Sequence, residues 1–576
     1  MYEEMTRRQV LTGLGALGIG GIAFQRALAH SVALEGEVTA EMIKAAQWIA
    51  DVELDEDQQA KVASEVQKLL QGQKALQAYP IDADVVPAMA FVPAFFANPP
   101  LIDRQRQKNL FHAEAPSNPH PYKGIDDPKL PFASIAHLAE GLRKGHWTSR
   151  QLTKLYLDRL SRYDSVLRCV IQRTEDLAWE QADRADRELK SGQERGPLHG
   201  IPWVAKDIIA VPPYPTTWGA APYRNQVRPQ PATVYERLVE AGAVLLAKVS
   251  VGTLAWGEVW HDGVTKNPWN IAEGSSGSSA GSASATVAGL CGFSIGSETL
   301  GSIVSPTQRC RVTGLRPTFG RVSRFGCMAL AWSMDKLGPI CRNVEDCALV
   351  FAAILGADGK DPCVIDQPFS WKADSNTSWK IGYNENQLSE QEKKALEVLK
   401  ENGCELVPIE YSNTIPESAL LDALSAEAST AHEDLIRSEA KESDFGKWGP
   451  TFRQSQWIRA IHYLRGMRAR SILIQETEAV LQKVDVVLGT NDLGRTNLTG
   501  HPSIVVAVGT RPNRIGDAPG TIKLTSRMFG DDRLLSVGHW LQKQMPPLPV
   551  EPPLERWLDE AAKAASDSSN EKDQDK

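Results

Sequence analysis

The sequence lacks the patterns that indicate a metal centre, a disulfide framework or a nucleic-acid partner. Its eight cysteines are dispersed, without a CxxC pair or a cluster with histidine, so the spacing that zinc sites and disulfide-rich domains require is missing. A net charge of −8 provides no basic field, and we expect no nucleic-acid partner. The cysteines are interpreted as small buried apolar residues.

Long hydrophobic runs are also scarce. The most apolar segment, TRRQVLTGLGALGIGGIAF, starts at residue 6 and contains five glycines. It is shorter than the roughly 20 apolar residues of a transmembrane helix, so a membrane anchor is the weaker interpretation. Two arginines before a mildly apolar core, with small residues at Ala27 and Ala29, resemble a twin-arginine signal peptide cleaved after Ala29. The sequence therefore predicts export, to the periplasm, and no stable membrane span.

The remaining chain is too long for one hydrophobic core. Its 576 residues exceed the roughly 250 to 300 at which cores stop growing. Apolar residues at helical spacing after the potential N-caps Thr39 and Asp55 predict a helical hairpin. The predicted division is a signal peptide at 1–29, the helical hairpin at 30–78, a proline-rich wrap or linker at 79–131, one large α/β domain at 132–555, and a helix end with a disordered polar tail at 556–576.

One glycine- and serine-rich stretch between Glu273 and Pro306 is the candidate for the chemistry. Apolar residues interrupt it throughout, which favours a packed segment over a flexible linker. Within it, GFSIG formally matches a nucleophile elbow, but the sequence after Ser294 is a poor helix start, so a buried strand serine is the better interpretation. The stretch also lacks the lysine and serine or threonine ending of a phosphate-binding loop.

The order of several motifs resembles the amidase signature family. GPLHGIPWVAKD, the serine-rich core, GLRPTFGRVSR and NLTGHPSIVVAVG follow one another in a region of about 400 residues that ends near Gln544. The resemblance implies an α/β amidase signature fold, with a large mixed β-sheet core flanked by helices, here carrying an N-terminal helical extension. It also implies an amidase that acts on a small or peptide-like amide without metal or organic cofactor.

The family's catalytic triad is carried over onto three positions. The lysine after GIPWVA is Lys206, the serine of the cis peptide is Ser278, and the nucleophile 24 residues later is Ser302, since 302 − 278 = 24. In this arrangement neutral Lys206 is the general base, and Ser278 relays the proton of Ser302. A lysine can act as a base near neutral pH only if burial or nearby positive charge lowers its pKa. Considered one at a time, the lysine is better interpreted as a surface residue and each serine as a turn residue. The catalytic assignment therefore depends on the spacing of all three residues together.

The resemblance implies supporting groups as well. Backbone N–H groups of Thr299, Leu300 and Gly301 would form the oxyanion hole, with Ser279 as a hydrogen-bonding aid. The family's DTGGSIR is ETLGSIV here, which replaces the aspartate, one glycine and the arginine by Glu298, Leu300 and Val304. We expect that an ion pair bracing the loop is lost and that leucine fits the loop poorly.

Three hypotheses follow from these residues. The first is an exported amidase that releases ammonia or an amine. The second is a protein similar to the A subunit of glutamyl-tRNA amidotransferase, which the predicted export disfavours. The third is a catalytically impaired homologue that binds a ligand or partner, motivated by Leu300 and Val304. The substrate and the oligomeric state stay open.

Overall fold

The computed structural model describes residues 37–50, 52–81, 89, 122–371, 378–489, 491–513, 516–546 and 551–574. The predicted signal peptide, and residues 82–88 and 90–121 of the predicted wrap, lie outside the described residues. The chain divides into two compact units, which we treat separately. The smaller unit comprises residues 1–87, 414–440 and 448–469, and the larger comprises 88–413, 441–447 and 470–576.

Helices and strands alternate along most of the described chain. The helices are α1 (Ala40–Ala46), α2 (Glu56–Ala78), α3 (Ile135–Arg143), α4 (Ser149–Leu167), α5 (Glu175–Lys190), α6 (Thr233–Glu240), α7 (Ala280–Val287), α8 (Val304–Cys310), α9 (Val344–Ile354), α10 (Glu390–Glu401), α11 (Glu417–Leu420), α12 (Asp422–Ala431), α13 (Glu433–Ile436), α14 (Gly449–Gln454), α15 (Ala460–Leu481), α16 (Leu493–Thr499), α17 (Asp531–Gln544) and α18 (Leu554–Gln574). The strands are β1 (Val170–Arg173), β2 (Pro202–Lys206), β3 (Val244–Val249), β4 (Val259–Trp260), β5 (Gly263–Val264), β6 (Lys266–Asn267), β7 (Asn270–Gly274), β8 (Phe293–Glu298), β9 (Thr313–Arg316), β10 (Lys336–Cys341), β11 (Lys380–Tyr383), β12 (Glu405–Pro408), β13 (Val486–Leu488), β14 (Ser503–Asn513) and β15 (Gly516–Thr525). Six short 3₁₀ helices cover Leu130–Phe132, Ala221–Tyr223, Thr253–Ala255, Glu385–Gln387, Glu442–Phe445 and Ser455–Trp457.

An 11-stranded mixed sheet is the centre of the larger unit. Its strand order is β1-β3-β2-β8-β10-β9-β14-β15-β13-β11-β12. Strand β2 is parallel to both β3 and β8, whereas β8 and β10 are antiparallel. Every residue of β2, β3 and β8 is buried, as expected for strands covered on both faces. This is the predicted mixed α/β fold with a large sheet flanked by helices.

The smaller unit is helical in its described part. Helices α1 and α2 begin at the N-caps Thr39 and Asp55, whose side chains accept hydrogen bonds from backbone N–H groups of the first turn. Its apolar cluster contains residues from both helices, the segment between them and the 3₁₀ helix near residue 457: Ile43, Leu54, Val62, Ala63, Val66, Val38, Val52 and Trp457. No described helix is both apolar enough and long enough to cross a membrane.

Two boundaries differ from the linear division that the sequence predicts. Segments 414–440 and 448–469 belong to the smaller unit, although they fall inside the predicted domain at 132–555. Helix α18 continues to Gln574, whereas the sequence predicts a disordered tail there. The two segments belong to the smaller unit because of contacts between residues that are distant in sequence. Local sequence patterns do not indicate such contacts.

Candidate active site

Lys206 ends a buried strand at the carboxyl edge of the parallel part of the sheet. It is the last residue of β2, and its neighbour Ala205 pairs with Ile295 of β8. The apolar run before Lys206 forms a strand because both faces of β2 are covered. Functional groups in α/β proteins gather at this edge of a sheet.

Four neutral oxygens surround the Lys206 amine. Nζ lies 2.8 Å from Ser278 Oγ, 3.1 Å from Ser279 Oγ, 2.8 Å from Ser297 Oγ and 3.2 Å from the Ser297 carbonyl oxygen. The Lys206 side chain is fully buried. Burial lowers the pKa of Lys206 to about 7, against the opposing effect of the Asp335 and Glu298 carboxylates.

A second buried lysine on the neighbouring strand shows the contrast. Lys248 Nζ lies 2.6 Å from the carboxylate of Asp207 and donates to the carbonyl of Pro215, also at 2.6 Å. A carboxylate at this distance holds an amine in its charged form. Lys206 has only hydroxyl and carbonyl acceptors within hydrogen-bonding distance, so, unlike Lys248, it has no ion pair at contact distance to hold its proton.

Ser278 is in hydrogen-bonding contact with the lysine. The Gly277–Ser278 peptide bond is cis, as the resemblance implies. A Cβ atom at Gly277 would lie 1.8 Å from the carbonyl oxygen of Gly257, so only glycine fits there. Helix α7 starts two residues later and consists of small buried residues, which let it pack closely on the sheet.

Ser302 is brought to this group through its backbone. Its carbonyl oxygen accepts a hydrogen bond from the N–H of Ser279 at 3.1 Å. Within the described part of the chain, the Ser302 hydroxyl makes no hydrogen bond, so the link to Ser278 that a relay needs is not formed. Such bonds often tighten only when a substrate is bound.

The predicted oxyanion loop presents unused donors. Among the described residues, no hydrogen bond is donated by the backbone N–H groups of Thr299, Leu300 or Gly301. Gly301 has a φ of +89°, while Leu300 keeps a negative φ. The expected poor fit of leucine is therefore wrong in one respect, because the position that needs glycine is 301 and not 300.

Comparison with known proteins identifies the family of this chain. Residues 151–491 match the family model described as Amidase. The chain belongs to the amidase signature family. It is 31% identical over 473 residues to the A subunit of glutamyl-tRNA(Gln) amidotransferase from Acinetobacter baumannii, covering 71% of this chain and 95% of that protein.

Solved amidase structures share the fold. Peptide amidase from Stenotrophomonas maltophilia has a TM-score of 0.64 at 26% identity, covering 74% of this chain and 98% of the other. An amidase family protein from Bacillus anthracis has a TM-score of 0.64 at 25% identity, covering 73% and 92%. The family and these neighbours support an amide-hydrolysing enzyme.

Val304 cannot form the bracing ion pair in this amidase, as expected, but Glu298 has another cationic partner. Glu298 Oε1 lies 2.8 Å from the guanidinium of Arg316, which comes from β9. Glu298 Oε2 accepts the backbone N–H groups of Ile303 and Val304, both at 2.8 Å. The glutamate thus ties the end of β8 to the first turn of α8, on either side of Ser302. Burial alone would raise the pKa of Glu298, but Arg316 and these N–H donors lower it to about 2.

Replacing Glu298 by glutamine is expected to destabilise the larger unit by about 3 to 5 kcal/mol, because it leaves the Arg316 guanidinium buried without a charged partner. The folded-state pKa of about 2 lies below the ordinary 4.5. The stabilisation is therefore complete above pH 4.5 and is lost as the pH falls towards 2. Urea unfolding at pH 7 and at pH 3 measures both effects.

Glu555→Gln is the matched control, because Glu555 pairs with Arg162 at 2.5 Å with its side chain 61% exposed. Exposed pairs contribute up to about 1 kcal/mol. Equal destabilisation by the two variants would contradict the role of Glu298.

Ser297 is a contact of Lys206 that the sequence analysis missed. A neutral amine has two N–H donors and one lone pair. If the N–H donors point to Ser297 and Ser279, the lone pair faces Ser278. Ser279 Oγ also donates to the Ser297 carbonyl at 3.0 Å and accepts the Ser297 N–H at 3.1 Å, which fixes both serines. The contact of Ser297 with Lys206 follows from the pairing of β8 with β2, which no motif in the sequence indicates.

Ser294 and His501 lie outside the site. Ser294 is a buried strand residue hydrogen-bonded to Thr286 at 2.8 Å, which confirms the interpretation against a nucleophile elbow. His501 contacts Thr499 and Glu478 instead of the serines. All eight cysteines are free, six of them buried. Within the described ranges, no three His, Cys, Asp or Glu side chains form a group able to hold a metal ion.

One cavity adjoins the oxyanion loop, and a second lies next to it. The inner one is bordered by Ser297, Thr299 and Asp335. The outer one, of about 530 Å³, shares Asp335 with it, and this volume is in the range of small-molecule pockets. Its walls include Phe325 and Trp332, from a segment that the sequence analysis did not single out.

Proposed function

We propose that this amidase hydrolyses the C–N bond of a linear carboxamide through an acyl-enzyme on Ser302. The observation that carries the proposal is the Lys206 amine, buried among neutral oxygens and 2.8 Å from Ser278. With a pKa of about 7, a large fraction of this amine is neutral near physiological pH. It can therefore accept a proton, which an exposed lysine cannot do at that pH.

Two proton transfers accompany the attack on the amide carbonyl. Lys206 takes the proton of Ser278, which takes that of Ser302 while the Ser302 oxygen attacks the amide carbon. The N–H groups of the oxyanion loop stabilise the negative charge on the substrate oxygen. The relay then returns a proton to the departing nitrogen, and the C–N bond breaks. Water attacks the acyl-enzyme by the same route, releasing the acid and restoring Ser302.

Small or peptide-like amides are the proposed substrate class. Similarity to the peptide amidase supports including peptide amides. The test is ammonia release from a panel of primary amides, aliphatic, aromatic and peptidyl, with Lys206→Ala as the inactive control. If none of the amides releases ammonia and a serine-reactive fluorophosphonate does not label the protein, the proposal is contradicted.

A serine-reactive fluorophosphonate separates this proposal from the impaired-homologue hypothesis. An active site labels the protein even when the correct substrate is missing from the panel. A binding protein with a degraded site would not be labelled. The Glu298 contacts and the negative φ of Leu300 favour a working loop.

Similarity to the A subunit of glutamyl-tRNA(Gln) amidotransferase supports a second candidate function. Export would exclude it, because charged tRNA is cytoplasmic. We propose export to the periplasm through the twin-arginine route, based on Arg7 and Arg8 before the apolar core. Replacing both by lysine is expected to retain the protein in the cytoplasm, as measured by cell fractionation. If the wild-type protein is itself found in the cytoplasm, the amidotransferase hypothesis regains support.

A further inference from the structure

Asp335 lies directly across the sheet from the start of the oxyanion loop. In the antiparallel pairing of β8 and β10, Leu337 faces Ser297 and Lys336 faces Glu298. Continuing that register by one residue brings Asp335 opposite Thr299. The oxyanion loop therefore begins at the point where the strand ladder ends, and its first residue has a carboxylate as its cross-strand neighbour.

Hydrogen bonds engage both oxygens of this carboxylate. Thr299 Oγ1 donates to Oδ1 at 2.5 Å. The backbone N–H groups of Leu330 and Ala331 donate to Oδ2 at 2.8 and 3.0 Å. Asp335 thus ties Thr299 to the turn before β10. Since that turn is anchored by two backbone donors, the threonine side chain is held in one rotamer and its peptide plane is constrained.

The same carboxylate acts on the general base through its charge. Burial lowers the pKa of Lys206, and Asp335 is the largest effect opposing it, ahead of Glu298. Burial raises the pKa of Asp335 itself, against the Thr299 hydrogen bond. The titratable and charged groups around the two residues are Glu298, Cys327, Arg324 and Lys336.

We propose that Asp335 is a positioning residue that aligns the oxyanion loop through Thr299, two residues after the Ser297 that contacts Lys206. This inference rests on the proposed acyl-enzyme chemistry. One side chain would thereby adjust both halves of the reaction, the acceptance of the proton and the stabilisation of the oxyanion. Neither role requires Asp335 to touch the substrate.

Two substitutions at Thr299 isolate the positioning role. Thr299→Val keeps the shape and removes the hydroxyl donor, while the Asp335 charge stays. We expect kcat to fall about tenfold to a hundredfold, with KM little changed. This fall is no larger than the fall in kcat that follows the removal of an oxyanion-hole donor. Thr299→Ser keeps the hydroxyl and should return kcat to within about threefold of the wild type. If Val and Ser behave alike, the hydrogen bond has no positioning role.

Asp335→Asn isolates the charge. Without the carboxylate, Lys206 loses its proton more readily, so the acid limb of the kcat/KM profile should move to lower pH. In Thr299→Val the limb should stay where it is in the wild type. Glu236→Gln is the matched control, because Glu236 pairs with Lys360 at the outer cavity, at 3.0 Å, and has no hydrogen bond to the loop. A shift of the limb in Glu236→Gln as large as in Asp335→Asn would overturn the charge role.

The outcomes separate this inference from the proposed function. Fluorophosphonate labelling of the wild type establishes the reactive serine independently of Asp335. If the wild type labels and hydrolyses amides while the Asp335 and Thr299 variants match it in kcat and pH profile, only the positioning role is overturned. If the wild type neither labels nor hydrolyses, the proposed function fails first. Should Asp335→Asn not fold, the Thr299 pair alone decides the positioning role.

Discussion

Ser302→Ala is expected to abolish both amide hydrolysis and fluorophosphonate labelling. The hydroxyl is the proposed nucleophile, and no neighbouring group can replace the covalent bond that it forms to the acyl carbon. Removing a catalytic serine in a hydrolase costs about a millionfold in kcat. Ammonia release measures the loss of turnover, and gel fluorescence measures the loss of labelling.

Ser294→Ala is the matched control for this variant. Ser294 lies in the same glycine- and serine-rich stretch and fits the GxSxG pattern, but its hydroxyl is buried and bonded to Thr286. We expect normal labelling, with a modest loss of stability from the missing hydrogen bond. Labelling that survives in Ser302→Ala, or disappears in Ser294→Ala, would show that the nucleophile is elsewhere.

Lys206→Met is expected to lower kcat by about a thousandfold to ten-thousandfold, the size of a general-base contribution. Methionine nearly fills the volume of the lysine stem, so the buried site should not collapse. Circular dichroism and the urea midpoint check folding. Unchanged activity in a folded Lys206→Met protein would rule out Lys206 as the base.

The pH profile gives a second measure of the same residue. Burial lowers the pKa of Lys206 to about 7, and only the neutral amine accepts a proton. The wild-type kcat/KM should therefore rise with pH and reach half of its plateau near pH 7. Residual activity of Lys206→Met should lack this limb. If the rise of kcat/KM near pH 7 persists in Lys206→Met, the titration of a group other than Lys206 causes it.

The three candidate residues can be predicted only from the order and spacing of the amidase signature motifs, because the local signal at each position is weak. Lys206 ends an apolar run short enough for a buried strand, and one glycine precedes each of Ser278 and Ser302. The structure brings Lys206 and Ser278 into hydrogen-bonding contact, and the Ser302 carbonyl accepts the Ser279 N–H. The same resemblance implies the α/β class, and helices alternate with strands along most of the described chain.

Ser297 and Asp335 could not be predicted by the same reasoning. Their roles depend on which strands are neighbours and in what register. Thr299 and Asp335, which follow and precede the paired strands β8 and β10, are 36 positions apart in the sequence. No periodicity in either segment predicts that the two segments pair. For the same reason, the sequence analysis did not predict that 414–440 belongs to the smaller unit.

Glu298 carries a consequence for recognising similar chains. A search pattern that demands the family's aspartate and arginine at positions 298 and 304 would reject this sequence as degenerate. The fold nevertheless keeps a carboxylate and a guanidinium together, with the cation supplied by Arg316 from another strand. Because one carboxylate is shared by the loop and by Arg316, we expect positions 298, 304 and 316 to vary together among homologues, and the loss of single motif letters is then a poor measure of whether the loop is braced.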